Sequence, residues 1–315
     1  MILNPLATRQ QLAMTPTMAE GLTFDLEMEL RALGCQMIQQ MGVLLQLPQR
    51  TMAAAQIFFQ RFWYTSSMCD FSADKVAVSA LLLASKLEET QVGLRRLINA
   101  YHYVAFLLTR GARPSAYVGL AHDSLEVTSL RDTIVVLEMQ MLKRLGFQMQ
   151  VVLPHALLVQ YLRVLGLTDP NLKVTLKPHE NWDAEWSTPP SEGRSEETVS
   201  LAQCAWSFLN DALQTPVLCI FGPHVVACAA IALAAEMGEP CVVLPLEPAP
   251  WWLLFDASEP EIKIAASHLL WRYHHESSVP HLADLLDRDN LRSYIAKRPA
   301  SPNSHANDCQ VHKSW

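Results

Sequence analysis

Motifs that mark several large classes of enzymes are absent from this chain of 315 residues. It contains no glycine-rich phosphate loop, no G-x-S-x-G nucleophile turn and no H-E-x-x-H zinc motif. Its seven cysteines include no C-x-x-C pair, which is typical of thiols that stay reduced inside a cell. We therefore expect a protein that is not an enzyme and that holds neither a metal nor a cofactor.

Charged residues are scarce, and their balance does not favour nucleic acid. Only 17% of the residues are charged, and the formal net charge is -7. Because a negative field repels the phosphate backbone of DNA and RNA, we expect no direct nucleic-acid ligand.

No segment has the length and continuity of a membrane span. The most apolar stretch, Pro216–Ala235, is interrupted by Gly222 and Pro223, and the remainder, Val225–Ala235, is too short to cross a bilayer. The N-terminus has neither the basic start nor the apolar run of a signal peptide. We expect a buried core helix at Val225–Ala235, no membrane association and no secretion.

The apolar pattern indicates two related helical units. Residues 76–86 (VAVSALLLASK) return as residues 226–236 (VACAAIALAAE), an offset of 150 positions. Apolar residues recur at i, i+3, i+4 and i+7 in most long segments, and alternation of period two is not sustained. The sequence predicts an all-α fold of two tandem five-helix repeats. Because Lys86 in the first copy is replaced by Glu236 in the second, we expect the two copies to have different functions.

Helix boundaries follow from this pattern together with capping signals such as Ser72. The helices predicted for the first unit are Asp25–Gln46, Gln49–Tyr64, Ser72–Glu89, Gly93–Thr109 and Ser129–Leu145. Those predicted for the second unit are Pro154–Leu165, Glu196–Leu213, Pro223–Glu236, Trp251–Phe255 and Glu259–Tyr273.

Composition divides the chain into four parts. We expect a flexible, extended N-terminal arm at 1–20 and the first unit at 21–150. The second unit follows at 151–275, with a loop insertion at 168–195 that is rich in Pro, Glu, Ser and Asn. A C-terminal extension occupies 276–315 and should be mostly disordered after 297.

One carboxylate lies within an apolar helical stripe. Glu138 has Ile134 and Leu142 four residues away and Val135 and Met141 three residues away. Burying it unpaired would cost roughly several kcal/mol. Glu138 therefore either meets a cation inside the fold or faces a surface that another molecule covers.

The first copy of the repeated helix ends in an unusual cluster of charges. A cation such as Lys86 in the last turn is favoured by the helix dipole by about 0.3–1 kcal/mol. Glu88 and Glu89 at the same helix end are mildly unfavourable. We expect these carboxylates to serve another purpose.

Two weaker patterns have simpler explanations. The aromatic residues of segment 58–64 have helical spacing, so we predict core packing instead of a recognition surface. His268, His274 and His275 have no matching set of Cys, Asp or Glu at ligand spacing, so we expect no zinc site.

Several strings together resemble the cyclin family, and more narrowly cyclin L of the transcription and splicing group. The main ones are residues 83–89 (LASKLEE), Glu138, and residues 142–147 (LKRLGF). The supporting strings are residues 30–35 (LRALGC), 45–49 (LQLPQ), 61–62 (RF), 152–155 (VLPH) and 251–255 (WWLLF). The resemblance covers roughly residues 16–273 apart from the insertion.

The resemblance implies two cyclin boxes, the first of which grips the C-helix of a kinase. In that family a lysine and a glutamate matching Lys86 and Glu138 reach the kinase, and neighbouring apolar residues form or support the seat. The kinase-binding residues implied by motif position are Leu83, Lys86, Leu87, Glu89, Glu138, Leu142, Phe147 and Met149.

The leading hypothesis is a nuclear regulatory subunit that forms a heterodimer with a cyclin-dependent kinase. This subunit would activate a kinase that acts in RNA polymerase II transcription and pre-mRNA processing. The sequence does not contain the long Arg/Ser-rich tail with which cyclin L proteins often continue.

Two alternatives come from other functional classes. A general transcription factor of the transcription factor IIB type also uses two cyclin-like repeats, but the acidic balance and the lack of a zinc ribbon argue against it. An enzyme could pair Cys35 or Cys69 with His102, although nothing in the sequence positions these residues for that chemistry.

Overall fold

The computed structural model describes residues 4–110, 117–121, 124–167, 201–237, 242–274, 279 and 281–297. These ranges are built from α-helices and short 3₁₀ helices, which confirms the all-α prediction. The predicted insertion at 168–195 and the chain after 297 lie outside the described residues.

The N-terminal segment differs from the expected extended arm. It contains two short helices, α1 (Arg9–Ala13) and α2 (Pro16–Ala19). The buried Asn4 side chain donates to the carbonyl of Val152 and accepts from its amide, over 2.9 and 2.8 Å. The prediction of extended chain is therefore wrong for these helical residues, because their threonine caps were not recognised.

The five helices predicted for the first unit are all present. They are α3 (Phe24–Leu44), α4 (Gln49–Phe62), α5 (Ala73–Leu87), α6 (Leu94–Arg110) and α7 (Leu125–Arg144). The largest error is at the start of α7, which begins before the predicted Ser129. The side chain of Ser124 accepts a hydrogen bond from the Val127 amide, so the N-cap lies earlier than the apolar pattern indicated.

The second unit is also built from helices. It contains α8 (Pro154–Val164), α9 (Leu201–Ala212), α10 (Val217–Ile220), α11 (Pro223–Met237), a 3₁₀ helix (Trp251–Phe255) and α12 (Glu259–His274). Helices α5 and α11 begin and end at equivalent positions of the 150-residue offset. The short α10 was not predicted, and the predicted helix start at Glu196 lies outside the described residues.

Two buried clusters of apolar side chains form the cores. Phe58, Phe59, Phe62 and Trp63 lie in the first cluster, which confirms core packing for these aromatic residues. Residues 225–235 of α11 are almost wholly buried in the second cluster, which confirms a core helix there. None of the described helices is long and apolar enough to cross a membrane.

A C-terminal segment that the sequence did not predict packs on the first core. It comprises a 3₁₀ helix (Leu282–Leu286) and α13 (Arg288–Lys297). Leu285, Leu286 and Leu291 are buried against the first unit, although they follow the second unit in the chain. The limits of the two units at 150 and 151 stay predictions.

Candidate functional site

Helices α5 and α7 bring Lys86 and Glu138 together. The hydroxyl of Ser79 on α5 lies 3.2 Å from the carbonyl of Ile134 on α7, so the two helix backbones approach closely. Lys86 in the last turn of α5 therefore faces Glu138 one turn beyond Ile134.

The two charges form an ion pair at the protein surface. Lys86 Nζ lies 2.5 Å from Glu138 Oε1, and the two side chains are 50% and 13% exposed. Glu138 is therefore paired with a cation of the same chain, but this pair lies at the surface and not in the core. Lys86 remains half exposed, so the pair is also accessible from outside.

The pair has unused hydrogen-bonding capacity. A lysine ammonium has three donors and a carboxylate has two acceptor oxygens. Among the described residues, the hydrogen bond to Oε1 is the contact that Glu138 makes through its carboxylate. The second oxygen of Glu138 and the remaining ammonium protons of Lys86 have no hydrogen-bond partner among the described residues.

Apolar side chains extend along the same face of α7. Val135, Glu138, Met139 and Leu142 follow the i, i+3, i+4, i+7 spacing of one helical face. Val135 and Met139 are each about half exposed. These two residues were not among the site residues predicted from the sequence. The signal for them is that apolar residues of α7 occur on its exposed face as well as on its core face.

Both helices end in turns that present further side chains. The Thr90 amide donates to the Ser85 carbonyl over 2.9 Å after α5, and the Phe147 amide donates to the Leu142 carbonyl over 3.0 Å after α7. These bonds are typical of Schellman caps. Glu89 and Phe147 have φ of 56° and 58°, a left-handed conformation that is costly for residues other than glycine. Phe147 is 67% exposed.

The two carboxylates after Lys86 have different surroundings. Glu88 Oε2 lies 2.5 Å from Arg50 Nε at the start of α4. Glu88 is therefore paired with an exposed cation of the same chain. Glu89 is exposed and has no such ion pair among the described residues, so its purpose stays open.

The structure separates the predicted site residues into two groups. Leu83 is buried, and Leu142 and Met149 are partly buried against the first core, so these three support the surface from below. The exposed group comprises Lys86, Leu87, Glu89 and Phe147, with Glu138 at its edge. Their contact with a kinase stays a prediction.

The side chains of the alternative enzyme hypothesis are placed unfavourably for catalysis. Burial raises the pKa of the Cys69 thiol to about 12 and also raises that of Cys35. A nucleophilic cysteine needs the opposite shift. His102 Nδ1 lies 3.1 Å from the Tyr117 hydroxyl. In the part of the chain that the structure describes, no three His, Cys, Asp or Glu residues are grouped as metal ligands.

Comparison with known proteins identifies the family. The profile of the cyclin N-terminal domain matches residues 3–150. Cyclin-L2 of Rattus norvegicus is 35% identical over 94% of this chain and 48% of its own length. Cyclin-L1 of Gallus gallus is 35% identical over 94% of this chain and 47% of its own length.

A solved structure shares the fold. One chain of the yeast RNA Pol II CTD kinase CTDK-1 complex has a TM-score of 0.57 and 16% identity. The match covers 96% of this chain and 93% of that chain. The present chain belongs to the cyclin family. The relatives that it matches over most of its length are L-type cyclins, and it spans about half of their length.

Proposed function

We propose that this chain is a non-catalytic regulatory subunit that binds and activates a cyclin-dependent kinase. The observation that carries this proposal is the half-exposed Lys86–Glu138 ion pair with its unused hydrogen-bonding groups. A surface pair of this kind contributes little to stability, so stability alone is a weak reason for it. Exposed apolar side chains at Leu87, Met139 and Phe147 supply the area that a partner would bury.

The proposed contact is prearranged in the free chain. Lys86 holds the Glu138 carboxylate in place, and the carboxylate in turn orients the ammonium group. A partner backbone could then donate to Oε2 and accept from the remaining ammonium protons without first ordering either side chain. Preorganisation of this kind lowers the entropic cost of binding.

Activation would follow from positioning the kinase and not from chemistry supplied by this chain. A protein kinase transfers phosphate only when its own Lys–Glu ion pair is formed, which depends on the position of its C-helix. A surface that binds the inward position of that helix more tightly shifts the kinase population toward the active state. The proposed kinase-facing residues are Lys86, Leu87, Glu89, Glu138 and Phe147, supported by Leu83, Leu142 and Met149.

The proposal also covers the cellular process in which the kinase acts and the location of the complex. Similarity to L-type cyclins supports a nuclear role with a kinase of RNA polymerase II transcription and pre-mRNA processing. The structural neighbour is named for a kinase of the RNA polymerase II CTD, which agrees with this assignment. No observation on the described residues favours the transcription factor IIB alternative.

A charge exchange tests the contact while preserving the fold. The double variant Lys86→Glu with Glu138→Lys keeps opposite charges facing each other, whereas each single variant places like charges together. The matched control is the exchange Glu259→Lys with Lys263→Glu, an exposed i,i+4 pair on α12 whose atoms lie 2.6 Å apart. Tagged variants are used to capture kinases from nuclear extract, and the captured kinase is assayed on an RNA polymerase II CTD peptide.

We expect the exchanged site pair to lose the kinase and its activity while melting like the parent protein. The control exchange should retain both. Because each charge would meet a specific group on the partner, restoring the internal attraction does not restore binding. Kinase capture by the exchanged site pair at the parent level would contradict the proposal.

A further inference from the structure

Arg61 is a buried cation without a buried anion. Its residue is 6% exposed, and its Nε and Nη2 atoms have no hydrogen-bond partner among the described residues. Nη1 donates one long bond, 3.4 Å, to the carbonyl of Gln150. Burial lowers the pKa of this guanidinium, yet arginine remains charged in proteins. A buried charge left in this condition is costly.

A second buried arginine in the same unit has a carboxylate partner, although its Nη1 atom also has no hydrogen-bond partner among the described residues. Arg31 Nη2 lies 2.5 Å from Glu27 Oε1, and Arg31 Nε lies 2.9 Å from the same oxygen. Its guanidinium also lies 4.5 Å from the centre of the Tyr64 ring. No carboxylate of the described residues forms such a pair with Arg61. The two arginines therefore differ in whether a carboxylate neutralises their charge.

Arg61 lines a cavity of about 150 Å³ between three parts of the molecule. The N-terminal segment contributes Leu6 and Gln11, the first unit contributes Arg61 and Arg144, and the second contributes Cys219. None of the residues that line the cavity is Asp or Glu. The local charge is positive, although the whole chain is acidic.

Arg144 is held at the cavity by contacts that leave donors free. Its Nη1 donates to the Thr65 carbonyl over 3.2 Å, and its guanidinium lies 5.1 Å from the centre of the Phe71 ring. A guanidinium has five N–H donors, so most of those on Arg144 are not used by this bond. The exposed side chain of Arg144 and the buried one of Arg61 thus line one cavity.

We propose that this cavity is a binding site for a phosphate group, with the exposed Arg144 as its ligand and the buried Arg61 as an uncompensated cation in its wall. The Arg144 guanidinium supplies forked donors that match phosphate oxygens, and the positive charge of Arg61 attracts an anion to the same cavity. The volume suits a single oxyanion and a few waters and is smaller than the pockets that take drug-sized ligands. The phosphate group comes from inorganic phosphate or from a phosphorylated side chain.

None of the proposed kinase-binding residues lines the cavity, although Leu145 and Gln148 of its lining are close to Phe147 in the chain. Lys86 and Glu138 do not line the cavity, and Cys219 belongs to the second unit. The string at residues 61–62, which contributed to the cyclin resemblance, gains a role of its own here. Failure of either proposal leaves the other intact.

The test measures melting temperature of the full chain in chloride buffer at constant ionic strength. The probes are inorganic phosphate, a phosphoserine tripeptide and the same tripeptide without phosphate. The variants are Arg61→Met and Arg144→Gln, and Arg163→Gln is the matched control because Arg163 is exposed on α8 and does not line the cavity. Constant ionic strength removes general screening effects.

We expect phosphate to raise the melting temperature of the parent and of Arg163→Gln in a saturable way. Arg144→Gln should weaken phosphate binding by at least about tenfold, since it removes charge-assisted hydrogen bonds. Arg61→Met should remove the phosphate response, and it should melt no lower than the parent without phosphate because it deletes an uncompensated charge. The tripeptide without phosphate should have no effect.

A spectroscopic readout keeps the proposal testable if Arg61→Met does not fold. In the parent protein, the Nε–Hε signals of Arg61 and Arg144 should shift on titration with phosphate, and that of Arg163 should not. Tighter binding of the phosphoserine peptide than of inorganic phosphate would identify a phosphorylated side chain as the source, and equal binding would identify the free ion. The absence of any Arg61 or Arg144 response to both phosphate probes would overturn the site.

Discussion

Lys75 Nζ lies 3.2 Å from Asp287 Oδ1, an ion pair that joins the first turn of α5 to the C-terminal segment. The Ser72 hydroxyl donates to the same carboxylate oxygen over 3.1 Å. Ser72 does occupy the predicted N-cap position, but its side chain binds Asp287 and not the helix backbone. The C-terminal segment is therefore fixed to the helix that also carries Lys86.

This connection predicts a pH-dependent contribution to stability. Partial burial raises the pKa of Asp287, but the hydrogen bond and charge of Lys75 and the hydrogen bond from Ser72 outweigh burial, and the pKa falls below its usual value. Folding thus favours the ionised carboxylate. Its contribution is present above the unfolded pKa of about 3.9 and is lost as the pH falls through the lower folded value.

We expect Asp287→Asn to lower the free energy of unfolding at pH 7 by at most about 1 kcal/mol, because the pair is partly exposed. The difference from the parent should shrink below about pH 4. Urea denaturation at the two pH values measures it. Asp132→Asn, an exposed carboxylate on α7, is the control and should show no such pH dependence. A difference for Asp287→Asn that persists unchanged in acid would contradict the electrostatic explanation.

The crossing of α3 and α4 predicts intolerance of a single methyl group at Gly34. A Cβ atom added there would collide with the ring of Phe59, which is fully buried and cannot move aside. We expect Gly34→Ala to lower the free energy of unfolding by about 1–3 kcal/mol through overpacking. Gly119→Ala, at a position with open space, should change it by less than about 0.5 kcal/mol. Equal denaturation midpoints for the two variants would show that α3 and α4 do not cross so closely.

The buried pair of Glu27 and Arg31 predicts a large penalty for removing one charge. Glu27 also accepts a hydrogen bond of 2.5 Å from the Thr15 hydroxyl, so it connects α2 to α3. We expect Glu27→Gln to lower the free energy of unfolding by about 3–5 kcal/mol, since the Arg31 charge is left buried and unpaired.

The apolar double variant Glu27→Leu with Arg31→Met should recover most of this loss, because it removes both charges. Glu259→Gln on α12 breaks only an exposed pair and should change stability by less than about 0.5 kcal/mol. Equilibrium urea curves compare the four proteins. A double variant less stable than Glu27→Gln would argue against charge burial as the cause.

Because Glu89 has a left-handed backbone conformation, we expect a glycine substitution there to stabilise the chain while weakening its binding to the kinase. Glycine at this position relieves the steric cost of the positive φ, so Glu89→Gly should raise the free energy of unfolding by about 0.5–1 kcal/mol. Gln46 after α3 has the same φ of 56°, and Gln46→Gly should stabilise the chain similarly. If Glu89 faces the kinase as proposed, its glycine variant alone should capture less kinase. Equal capture by both variants would remove Glu89 from the proposed contact.

Much of the fold could be predicted from local pattern alone. The spacing of apolar residues located α3 to α7 and the main helices of the second unit, because each helix must turn one stripe toward a core. The 150-residue offset predicted the equivalence of α5 and α11, whose bounds agree with it. The helices that the sequence failed to predict, in the N-terminal segment and at α13, lie where apolar residues do not follow a sustained helical period.

The pairing of charges depends on packing between distant segments. From the sequence alone, Glu138 was compatible with an ion pair within the chain or with a contact to another molecule. Only the packing of α5 against α7 brings Lys86, which lies 52 positions away in the sequence, next to it. Arg31 and Arg61 both lie in helices with buried faces, yet one has a carboxylate four residues away and the other lines a cavity shared by three segments. Helical periodicity is a local property of the chain, so the sequence alone determines it. The partner of a buried charge is set by which helices meet, and that follows from the whole tertiary fold.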